Sequence, residues 1–110
     1  MAADRPTCPA HLDAATRKVW QELVDAHHDP HRIVGADFDA YCGQVALQRD
    51  ARQRVAEEGA IVVDERDRPV PHPAIDLERD AQREIRAWGD KFRPKPPRAA
   101  SAEGRRGRGH

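Results

Sequence analysis

Six histidines stand in this 110-residue chain, and three of them, in the run His27-His28-x-x-His31, are close enough together to raise a metal site. Cys8 and His11 add a second pair of suitable donors upstream. Imidazole and thiolate are the usual zinc ligands, and an ion held by only three protein groups would keep a position open for an activated water. The pattern stops short of that chemistry. Structural zinc sites usually declare four ligands in two paired clusters, whereas here there is no Cys-x-x-Cys, Cys42 falls inside a helical run and Pro30 interrupts the histidines. The stretch from His27 to Asp39 holds the residue types of a metal-dependent nuclease without the strand-turn-helix setting that such centres use. No metal site is assigned, and a small His-cluster nuclease stays open as the alternative reading.

Other catalytic patterns are weaker still. The one serine, Ser101, lies in a Gly- and Arg-rich end, and Cys42 falls in a stripe where cysteine acts as a small apolar residue. No Gly-x4-Gly-Lys-Ser/Thr and no Gly-x-Gly-x-x-Gly follows a strand pattern, so no phosphate-cradling loop is expected. Carboxylates alternate with arginines, as in Glu78-Arg79-Asp80 and Arg83-Glu84, which is the usual composition of a solvated helix face. The expectation is a protein without catalytic residues or cofactors.

Charge is more informative. The formal net charge is zero, yet residues 1–90 carry 12 Lys/Arg against 18 Asp/Glu, while residues 91–110 carry 7 against Glu103 alone. Lys91, Arg93, Lys95, Arg98, Arg105, Arg106 and Arg108 are therefore the candidate DNA-binding residues, because clustered cations gain affinity by releasing counterions from phosphates without any fixed geometry. A solubilising tail, or one that docks on an acidic protein face, fits the same charge.

Three helices have to position these groups. Pro6 and Pro9 mark residues 1–11 as an extended leader. Asp13 fits the N-cap of a first helix in which Leu12, Val19, Trp20, Leu23 and Val24 recur at helical spacing as far as about His28. Asp37 fits the cap of a second, with Phe38, Tyr41, Cys42, Val45, Arg49, Arg52, Val55 and Ala56 on one stripe and Gly59 at its end. Ile61-Val62-Val63 and Arg68-Pro69-Val70 flank a polar turn and read as a short β-hairpin. Pro73 opens a third helix with the stripe Ala74, Leu77, Ala81, Ile85 and Trp88, closed by Gly89.

The expected fold is mainly α: a three-helix body over residues 12–92, a short hairpin between helices 2 and 3, and a disordered Arg/Pro/Gly-rich tail over residues 93–110. Only 38% of residues are hydrophobic and 35% are charged, so the core is thin and an oligomer is expected. Trp20, Leu23, Phe38, Tyr41, Val45, Leu77, Ile85 and Trp88 are the residues assigned to core or subunit interface. The N-terminal residues lack the apolar segment of a signal peptide and Ala60–Val63 is too short to span a bilayer, which gives a cytoplasmic expectation and no membrane partner.

Several landmarks, in order, resemble the small subunit of bacteriophage terminase of the siphovirus type. They are Pro9-Ala10-His11-Leu12, Trp20, Asp37 with Tyr41-Cys42, Glu58-Gly59 before an aliphatic strand, and Pro71-His72-Pro73-Ala74. Together they cover residues 9–89. The sequence departs from the family at Trp88-Gly89-Asp90-Lys91-Phe92-Arg93-Pro94, where a Leu-Gly-Leu-x-Pro and a Ser-Arg-rich stretch are typical. The resemblance implies a non-catalytic packaging factor that assembles as a homo-oligomeric ring, binds double-stranded viral DNA at the packaging start, and recruits or regulates the large ATPase-nuclease subunit in the bacterial host. A protein-only adaptor is a further alternative.

Overall fold

A computed structural model describes residues 5–92. The elements are α1 (Ala14–Ala26), a 3₁₀ turn (Pro30–Arg32), α2 (Ala36–Glu58), β1 (Ile61–Val63), β2 (Pro69–Pro71) and α3 (Pro73–Phe92). This is the expected three-helix body with its hairpin between α2 and α3. The tail expected at 93–110 lies outside the described residues.

Each helix starts where local chemistry lets it. Asp13 caps α1, its Oδ1 accepting from the Thr16 amide at 2.8 Å. Hydrogen bonds from Thr16, its side chain first and then its amide, hold the Asp13 carboxyl below the usual carboxylate range. The leader is fastened to this helix: Pro9 O accepts from the Leu12 amide at 3.4 Å, Arg5 pairs with Asp25 at 2.6 Å, and Leu12 and Cys8 pack on the core.

The second cap differs from expectation. Gly35, at φ 147°, takes the cap position of α2, and no side chain caps the helix there. Because this glycine supplies the break before Ala36, Asp37 falls inside the first turn. There its carboxylate faces the positive end of the helix and pairs with Lys91 at 3.7 Å. Gly59, at φ 92°, ends α2 as expected, its amide donating to Val55 O at 2.8 Å.

Helix α2 lies between the other two, so its burial does not follow the single stripe read from the sequence. Phe38, Tyr41, Cys42, Ala46 and Ala51 are buried, whereas Arg49, Arg52 and Ala56 are exposed. Arg49 instead joins α2 to α1 through a two-pronged contact with Glu22, at 2.9 and 3.2 Å, and Gln48 joins α2 to α3 through Glu78 at 3.1 Å. The Cys42 thiol is sealed in the core, and burial, with the nearby Asp39 charge second, pushes it up to about 12.

Gly89 does not close α3. The helix runs through it to Phe92, which is 1% exposed and touches the rings of Phe38, Tyr41 and Trp88 at centroid distances of 5.5, 5.2 and 6.3 Å. Glycine costs a helix interior about 1 kcal/mol, which the burial of a phenylalanine side chain exceeds. Phe92→Ala is expected to destabilise the chain by about 3–5 kcal/mol, the usual range for emptying an aromatic core site, as read by urea unfolding followed by circular dichroism. A loss below about 1 kcal/mol would show that α3 is held elsewhere.

Candidate functional site

Three places on this body bring chemistry-bearing residues together. The first is the junction of α2, the hairpin and α3. His72 directly precedes α3, and its Nδ1 accepts from the Ala74 amide at 3.0 Å, so the hydrogen of the neutral ring sits on Nε2. Nε2 then donates to Glu58 Oε1 at 2.7 Å. The His72 amide donates to Ala60 O at 2.8 Å, which closes the base of the hairpin. The buried imidazole thus caps α3 and holds the end of α2, while the backbone amide of the same residue fastens β2 to the chain before β1. Glu58 and His72 belong to two of the sequence landmarks, Glu58-Gly59 and Pro71-His72-Pro73-Ala74, which are thus in contact.

The second place is the open face of α2 and α3. Asp37, Ala40, Tyr41, Gln44, Glu84 and Trp88 line a hollow of about 140 Å³ between the two helices. Leu77 is 50% exposed and Trp88 42% exposed, and Leu47 is also open. Of the residues assigned to core or interface, Trp20, Phe38 and Tyr41 are buried, and Leu23, Val45 and Ile85 pack against them from the margin. Leu77 and Trp88 keep large apolar surface in solvent.

The third place is the corner where α1 ends and α3 ends. His27, His28, Asp29, Arg32, Ile33 and Lys91 line a hollow there. The His27 and His28 rings stack at 5.1 Å, and His27 Nδ1 accepts from the Asp29 amide at 3.1 Å. Among the described residues no three His, Cys, Asp or Glu side chains gather to hold a metal ion. Of the seven cations assigned to DNA, Lys91 alone lies within the described residues. Its Nζ stands 5.5 Å from the Trp88 ring centroid, 5.3 Å from that of Phe92 and 3.7 Å from Asp37 Oδ2. Arg93, Lys95, Arg98, Arg105, Arg106 and Arg108 lie outside the described residues.

A family model for phage terminase, small subunit, matches residues 16–103. The chain belongs to the phage terminase small subunit family. No curated protein and no solved structure matched it. The family match runs through α3 and beyond it, so the sequence that departs from the usual terminal pattern at Trp88 to Pro94 still falls within the terminase small subunit region. The Pro9 to Leu12 landmark lies before the match, although Leu12 is packed on the core. No helix among the described residues is long and apolar enough to cross a membrane.

Two residues of this terminase small subunit carry more than the sequence indicated. Phe92 continues the α3 stripe four residues after Trp88, a signal that Gly89 obscured. The Glu58 to His72 bond spans a turn and has no periodicity to reveal it. Replacing His72 by Ala is expected to cost about 1–3 kcal/mol, the range for removing a partner from buried polar groups, and Glu58→Ala should cost less because Ala74 keeps its acceptor. Equal losses for the two variants in chemical denaturation would show that the Glu58 contact alone matters.

Proposed function

We propose that this chain is the non-catalytic subunit of a phage packaging motor that binds double-stranded viral DNA at the packaging start and recruits or regulates the large ATPase-nuclease subunit in the host cytoplasm. The family match over residues 16–103 carries this reading. Two further observations support it. The exposed Leu77 and Trp88 of α3, with Leu47 of α2, give an apolar face suited to contact with neighbouring copies in a homo-oligomeric ring. The basic sequence starts at the end of α3, beside Arg32 and the histidine corner, so phosphate contacts of the tail would begin at one defined end of the body.

DNA contact through the tail is tested by ending the chain after Phe92, which keeps the aromatic core and removes six of the seven candidate cations. Affinity for duplex DNA is expected to fall, and the slope of log affinity against log salt to flatten by up to about five, since each phosphate neutralised contributes about 0.9. Unchanged affinity and slope would remove the tail from DNA binding. For the ring, native mass spectrometry of the full chain should give one closed oligomer that Leu77→Glu with Trp88→Glu reduces to smaller species. A strict monomer at micromolar concentration, or an oligomer indifferent to both substitutions, would overturn that interface.

A further inference from the structure

The hairpin has one blocked edge and one open edge. In the antiparallel register Ile61 faces Pro71, Val62 faces Val70 and Val63 faces Pro69. The amide of His72 donates to Ala60 O at 2.8 Å and that of Asp64 to Arg68 O at 3.0 Å, which fixes the phase of the ladder. Hydrogen-bonded pairs alternate along such a ladder, so the pairs at 61/71 and 63/69 turn their backbone polar groups outward. On β2 those outward positions are Pro69 and Pro71, which have no N–H to offer. On β1 they are Ile61 and Val63, whose N–H and C=O groups have no hydrogen-bond partner among the described residues.

The side chains repeat this asymmetry. Ile61 and Val63 are 62% and 65% exposed, and Pro69 and Pro71 stand exposed on the same face, while Val62 and Val70 on the other face are half-buried. An isolated pair of three-residue strands is marginal in water and is stabilised by further strands.

We propose that β1 pairs with β1 of a second copy of this chain, antiparallel about a two-fold axis at Val62, to form a four-stranded sheet. The occupant follows from the donor pattern. Ile61 of one chain opposite Val63 of the other, and the reverse, satisfies all four outward N–H groups with all four outward C=O groups. The β2 edge of another copy could return only carbonyls, because Pro69 and Pro71 carry no donor. The four exposed apolar side chains of each hairpin become one continuous face across the axis. Both outer edges of the new sheet are proline-bearing β2 strands, so pairing stops at two chains. This contact uses a surface separate from the Leu77 and Trp88 face and does not depend on the DNA role.

A cysteine at the axis tests it. Val62 meets its own copy at a non-hydrogen-bonded position, where Cα atoms are about 4.5 Å apart and within disulfide reach. Val70 meets its copy three strand spacings away, about 14 Å, beyond that reach. In the full chain carrying Cys8→Ala, with Cys42 sealed in the core, Val62→Cys should form a disulfide-linked dimer with oxidised glutathione as oxidant, and Val70→Cys should not. Adding Ile61→Pro and Val63→Pro leaves the hairpin's own hydrogen bonds intact and removes the four donors between chains. It should lower the Val62→Cys dimer yield at least about tenfold at unchanged helicity, since four hydrogen bonds are lost between the chains. Equal cross-linking at both positions, no cross-link in folded Val62→Cys protein, or a yield that the prolines leave unchanged would each overturn the pairing, whatever the outcome of the DNA experiments.

Discussion

Phe38 lies fully buried on α2 between Trp20 of α1 and Phe92 of α3, at ring-centroid distances of 6.1 and 5.5 Å. Tyr41 and Trp88 join the same run through Phe92. These are all five of the aromatic residues in the chain. A sequence with so few large apolar side chains cannot spread them over several clusters, and it concentrates them where all three helices meet. The position of α1 depends on Trp20 reaching Phe38, and the far end of α3 depends on Phe92 reaching the same ring. Small aliphatic residues fill in around this run, and polar contacts between helices, chiefly Arg49 with Glu22 and Gln48 with Glu78, lie at the margins.

At the opposite end of α3 the order comes from hydrogen bonds. His72 serves α2, β2 and α3 at once, and its burial shields the bond from the Ala74 amide, while the Glu58 carboxylate at the other end of the ring is open to water. The two ends of α3 are thus fixed by unlike means, an aromatic cluster and a polar staple. Between them α3 runs along α2 through Ala74 and Ala81, while Leu77 and one side of Trp88 stay open to solvent. The apolar face offered to a neighbour is held at both extremities and is presented by paired helices, which suits a contact that must repeat from chain to chain.

Helix positions were legible because the chain punctuates them with Asp13, Gly59 and Pro73, each acting through its own local chemistry. The hairpin was legible because aliphatic residues flank a polar turn. Asp64 reinforces that turn by accepting from the Arg66 and Arg68 amides at 2.8 and 3.0 Å, and those amides, Arg68 first, hold its carboxyl below the usual range. What escaped sequence reading was decided by packing. Gly89 signals a helix end by propensity, yet Phe92 draws the helix past it. Asp37 looks like a cap, yet Gly35 breaks the chain first. The double-sided burial of α2 follows from the order of helices in space and not from any property of its own residues. For the candidate site, the landmarks were legible as a set, but the contact between Glu58 and His72 that explains two of them was not.

The staple also bears on how the chain closes on itself. Glu58 and His72 are 14 residues apart, so bringing them together closes a short loop at little entropic cost. The same closure sets α2 and α3 antiparallel and starts their mutual packing from the hairpin end. Phe92 then reaches Phe38 at the far end of the pair, across a much longer separation in sequence. A helical hairpin that zips from its turn toward its termini gains each later contact at reduced loss of chain freedom. In that sequence of events α1 has little to dock on until the zipper has travelled the length of α3. The aromatic cluster that defines the finished core would then be among its last parts to assemble, and the histidine staple among the first.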